Sequence, residues 1–76
     1  MNDQRRKNLK DAIELLNKAN AIIDAAHDSE QDALDNMPEN LEGTDRYEKM
    51  EVAVENMESA MEKIDHVVEL LTYASK

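Results

Sequence analysis

The chain has 76 residues, one glycine, one proline, no cysteine, phenylalanine or tryptophan, and a net charge of −9. That length allows one small domain; the lack of cysteine excludes a disulfide framework and a thiolate metal site, and the scarcity of turn residues and β-formers excludes a sheet protein. The negative charge disfavours direct contact with nucleic acid or an anionic membrane and favours a basic partner.

No apolar run approaches the roughly 20 residues of a membrane span. Met1 to Lys10 is charged and has no apolar stretch of the signal-peptide kind. A soluble, cytoplasmic protein is therefore expected.

A first helix is predicted over residues 3–36, since nothing before Pro38 breaks it. Leu9, Leu16, Ile23 and Met37 fall seven or fourteen apart, with Glu30 interrupting the row. Ala12, Ala19, Ala26 and Ala33 recur every seven residues, flanked by Ile13 and Leu34 on one side and by Leu15 and Ile22 on the other. A row of alanines lets a second helix approach closely while larger neighbours interlock around it. Arg5, Arg6, Lys7 and Lys10 lie at the start of this helix, and Asp28, Glu30, Asp32 and Asp35 at its end. Both placements oppose the helix macrodipole, so pairing with another chain end or a partner is expected to account for them.

Residues 37–44 read as a linker. Pro38 cannot continue a helix, and it pushes Met37 out of helical geometry. Gly43 is a second breaker. Thr44 or Asp45 can cap the next helix, and Asp45 with Glu48 has capping-box spacing. Met37 and Leu41, the apolar residues here, are expected to plug the end of the core.

The second helix, residues 45–75, carries a strict heptad seam of Tyr47, Met50, Val54, Met57, Met61, Ile64, Val68 and Leu71. Ala53, Ala60, Val67 and Ala74 recur every seven beside it, and Val52, Leu70 and Tyr73 fall outside it. The apolar face is thus wider than one partner helix covers. The predicted fold is all-α: an antiparallel two-helix hairpin with coiled-coil heptads, which dimerises into a four-helix bundle with the seam residues as its oligomerisation surface.

The same helix carries Glu48, Glu51, Glu55, Glu58, Glu62, Asp65 and Glu69, spaced alternately three and four apart. Helical geometry gathers all seven into one stripe about 31 Å long, at roughly 1.5 Å of rise per residue. Successive carboxylates step by roughly 4.5–6 Å, close to the phosphate spacing along a DNA strand. Two readings follow: a solvated outer face, or a surface made for a basic nucleic-acid groove.

Other chemistry is sparse. Folding the hairpin about residue 40 places His27 near Val54 and His66 near Leu15, too far apart to share a metal, and no Glu-x-x-His or His-Glu-x-x-His motif is present. No nucleophile motif or phosphate-binding loop occurs, so neither enzyme activity nor a cofactor is expected. The basic patch at Arg5 to Lys10 has no interleaved aromatics and is a weak nucleic-acid signal. Met50, Met57 and Met61 read as seam packing, with a re-packable binding groove as the sharper alternative.

The segment from Asp35 to Met50, with its Asp-Asn-Met-Pro-Glu-Asn-Leu linker and the Thr-Asp-Arg-Tyr-Glu start of the second helix, resembles a family of small acidic proteins encoded by bacteriophages and mobile elements. The resemblance covers nearly the whole chain, and the linker is its specific part. It implies a phage or prophage context inside a bacterial host cell, and no particular activity. In that context the expected function is a non-enzymatic interaction protein. Its stripe would bind a basic surface of a nucleic-acid-handling protein, as a nucleic-acid mimic or an anti-defence inhibitor of the anti-CRISPR type. The alternative is a structural or assembly accessory acting through the hydrophobic seam.

Overall fold

A computed structural model describes residues 1–76. Two helices, α1 (Asp3–Asp35) and α2 (Asp45–Ala74), are joined through a single 3-10 turn at Glu39–Leu41. There is no strand, so the expected helical hairpin is present. No helix is long and apolar enough to cross a membrane.

Local chemistry sets each boundary. Asn2 caps α1, its side-chain oxygen accepting from the Arg5 amide at 2.8 Å. Asn36 closes it, donating from both backbone and side chain to the Asp32 carbonyl. The Met37 amide bonds to Leu34 O at 3.1 Å, and Pro38 ends the helical path. Thr44 supplies the α2 cap: its hydroxyl accepts from the Tyr47 amide and donates to the Leu41 carbonyl at 2.7 Å. Asp45 is therefore the first helical residue and not the cap. Each helix stops one residue short of the predicted 36 and 75, because Asn36 and Ser75 serve as C-caps.

The helices meet along one seam. On α2 it consists of the eight predicted residues from Tyr47 to Leu71, all buried or half-buried. On α1 it runs Arg6, Leu9, Ile13, Leu16, Asn20, Ile23, His27, Glu30 and Leu34 and continues to Met37 in the linker, spaced three and four apart and likewise covered. With Arg6, Ile13, Asn20, His27 and Leu34 as the a positions of α1, and Tyr47, Val54, Met61 and Val68 as those of α2, each helix takes a complete heptad lettering.

Four of these seam positions are polar, Arg6, Asn20, His27 and Glu30, and Asn20 and His27 bridge to carboxylates of α2. Asn20 Nδ2 donates to Asp65 Oδ1 at 2.9 Å, and His27 Nε2 lies 2.8 Å from Glu58 Oε1. These pairs lie one heptad apart on both helices and fix the register. His27 consequently stands opposite Glu58, one turn beyond the Val54 expected from a fold about residue 40. The 3-10 turn and Gly43 move the reversal toward α2.

The seam is thin. Leu34 and Val54 alone are buried, with 8% and 5% of their surface exposed. Both sit near the linker end, where Met37 is half-buried. Leu41, expected to share in plugging the core, remains 39% exposed. The result is a rod whose Cα extents are 59 × 15 × 13 Å. At the open end Arg6 Nε donates to the Ser75 carbonyl at 3.2 Å. α2 has no basic residue in its last turn, so the cation that opposes the α1 dipole serves the carboxyl end of α2.

Gly43 is held at φ +80° with nothing within 4 Å of the Cβ position. Replacing it with Ala costs backbone strain alone, on the order of 1–2 kcal/mol. Gly43→Ala should lower the thermal midpoint by about 4–8 °C per kcal/mol for a domain of this size. Circular-dichroism melts measure this, and an unchanged midpoint contradicts the positive φ.

Candidate functional site

All seven stripe carboxylates are exposed, but they form two rows. Glu48, Glu55, Glu62 and Glu69 occupy b positions, and their carboxylates make no hydrogen bond or ion pair within the chain. Glu51, Glu58 and Asp65 occupy e positions beside the seam. Glu58 and Asp65 hold His27 and Asn20, while Glu51 borders a shallow groove with Gln31, Leu34, Asp35, Tyr47, Val54, Glu55 and Glu58. Two of the seven predicted partner-binding residues thus also cross-link the hairpin.

The groove is lined by a, b and e positions of both helices, so their b and e flanks lie on one side of the hairpin. α1 adds Asp24, Asp28 and Asp35 to this side, which therefore carries acids from both helices. The sequence reading confined it to the second helix. The available signal was the heptad recurrence of Asp28 and Asp35 in line with Glu14. It becomes interpretable only once the α1 seam is known to run through Asn20 and His27.

The eight seam residues assigned to oligomerisation face α1 of the same chain. Whatever a second copy covers must therefore include surface beside this seam.

Electrostatics is concentrated at His27. Its Nδ1 lies 3.3 Å from Asp28 Oδ1 while Nε2 meets Glu58, and its side chain is 16% exposed. The hydrogen bond to Glu58, then that to Asp28, raises its pKa above 6.5, against the opposing effect of burial. Asp24, His27 and Asp28 bring their ligand atoms within 4.8 Å of one another. These residue types can hold a divalent cation. Both imidazole nitrogens, however, already face carboxylates, an arrangement suited to a doubly protonated ring. His66 is exposed on the outside of α2 and does not join this group. At the groove's other end the Tyr47 hydroxyl is raised above 10.0, first by burial and then by the charges of Glu51, Glu42 and Asp35, so it stays protonated at neutral pH.

His27 makes stability pH-dependent in a defined direction. A group whose folded pKa is raised adds stability that is fully present below its unfolded value and disappears as pH rises through the folded value. The hairpin should therefore melt at a higher temperature at about pH 6 than at about pH 8.5, the window beginning near the unfolded histidine pKa of about 6.5. His27→Gln should flatten that difference. Equal slopes for variant and wild type would assign the pH dependence elsewhere.

No family model, curated protein or solved structure matches this chain.

Proposed function

We propose that this protein is a non-enzymatic interaction module whose acidic side binds a basic surface of a nucleic-acid-handling protein, in a phage or mobile-element setting. The b row supports this reading most directly. Glu48, Glu55, Glu62 and Glu69 are evenly spaced, exposed and unpaired, so their charge is uncompensated within the chain. A straight track of such charges attracts a groove built for phosphates and accelerates encounter with it. Occupying that groove would exclude nucleic acid, as an anti-defence inhibitor does.

The test follows from the two-row arrangement. Glu58 supports the fold through His27 and is left alone. Glu55, Glu62 and Glu69 are replaced together by Gln, which changes helix propensity little. The triple variant should keep wild-type helicity and lose at least about tenfold in affinity for a basic partner isolated from the host, or about 1.4 kcal/mol. Wild-type binding should weaken steeply with added salt and be displaced by DNA or RNA. Unchanged binding that nucleic acid does not displace overturns the proposal.

A second reading, self-association into a four-helix bundle that serves as an assembly element, rests on the thinness of the seam. Two buried side chains are a small core for 76 residues, and chains of this size commonly gain stability from a partner.

A further inference from the structure

The acidic b and e flanks lie on one side of the hairpin, so the g and c positions of both helices form the other. Here the composition reverses. On α1 the g positions read Arg5, Ala12, Ala19, Ala26 and Ala33, and the c positions Asn8, Leu15, Ile22 and Ser29. On α2 the g positions read Arg46, Ala53, Ala60, Val67 and Ala74, and the c positions Lys49, Asn56, Lys63 and Leu70. No aspartate or glutamate occupies any of these eighteen places, in a chain with 18 acids among 76 residues. The large exposed apolar side chains follow the same division. Leu15, Ile22, Val67 and Leu70 are 41–71% exposed at g and c, Val52 and Tyr73 border them at f, and none lies at b or e.

From this segregation we infer that the acid-free side is the docking surface for a second copy of this chain, packed face to face so that both acidic sides point outward. The inference rests on the self-association reading above and gives it a surface.

Three observations select that occupant. The first is electrostatic. Two chains of charge −9 repel, and on this side they can approach without opposing carboxylates. Arg5, Arg46, Lys49 and Lys63 are its only charged residues, which also makes it the wrong surface for a basic partner.

The second is shape. Alanines recur every seven residues on both helices, leaving shallow channels into which the ridges of another helix pair fit, with Leu15, Ile22, Val67 and Leu70 as the projections. A membrane-surface face would instead carry bulky anchors such as Trp or Phe, and the chain has neither.

The third is size. With Cα extents of 59 Å by 15 Å, the face has a footprint of about 900 Å² per copy, enough for the roughly 800 Å² that one side of a standard stable interface buries.

A face-to-face pair has a functional consequence. Its two acidic sides lie about 180° apart, so one dimer can engage two basic surfaces at once. Two-site engagement raises avidity when both sites can be reached together.

The test uses the full chain. Sedimentation equilibrium should give twice the 8.7 kDa chain mass. Ile22 and Val67 are exposed in the single hairpin, so the double variant Ile22→Glu/Val67→Glu should give the single-chain mass. A reading that does not depend on charged substitutions comes from cysteine probes, since the chain has no native thiol. Ala26 lies at g and Ala21 at b, and both are exposed in one hairpin. Alkylation of Ala26→Cys should slow about tenfold relative to Ala21→Cys once nine-tenths of the chain is paired, since only unpaired chain reacts. A folded wild type with the single-chain mass at about 100 µM, a concentration that populates dimers of micromolar Kd, overturns self-association and this surface together. So does co-sedimentation of that monomer with anionic phospholipid vesicles. A dimer in which the two cysteines react equally, or which survives the double variant, overturns the surface and leaves self-association standing.

Discussion

Everything in this molecule depends on a single helix–helix seam that is one side chain wide on each helix. A two-helix seam covers its residues from one direction only, and here just Leu34 and Val54 become buried. Hydrophobic burial scales with area removed from water, so a half-covered seam leaves much of the available stabilisation unused. The hairpin compensates at its margins. Asn2 and Thr44 cap the helices, Arg6 closes the open end on the Ser75 carbonyl, and two polar bridges lock the register.

Those bridges couple the fold to the charge pattern. Asn20 and His27 occupy seam positions where an apolar residue would pack better. The acidic e positions of α2 partner Asn20 Nδ2 and His27 Nε2, while Asn20 Oδ1 stays buried without a partner. A polar side chain at an a position sets register at some cost in stability, and a buried polar group without a partner is costly. The acidic stripe is therefore divided between its rows: Glu58 and Asp65 of the e row tie the two helices together, and the b-row carboxylates have no partner within the chain.

Segregation of charge is the second organising feature. Carboxylates gather on the b and e side of both helices and are missing from the g and c side, where the exposed apolar residues collect. Solubility alone would be served by acids on every outward face. Their exclusion from one side, together with the alanine rows there, divides the hairpin into a surface that repels its own kind and a surface that does not.

Much of this was written in the chain. The unbroken stretch to Asp35, the stop at Pro38, the Thr44 cap and the strict heptad from Tyr47 to Leu71 determined two helices, their ends to within a residue and the inward face of α2, because these depend on near-neighbour backbone chemistry and a seven-residue period. The acidic stripe was legible for the same reason. The inward face of α1 was legible only in its row of Leu9, Leu16, Ile23 and Met37, since Asn20 and His27 hide the apolar period of the adjoining row, and a polar seam residue looks like a surface residue until its partner is known. The partner depends on register, which the 3-10 turn shifted by one helical turn, bringing His27 to Glu58 rather than Val54. Only the tertiary structure decided that shift, the joining of α1 and α2 acids on one side, and the pooling of both alanine rows on the other. Each is a relation between residues far apart in sequence, set by how two helices lie against each other.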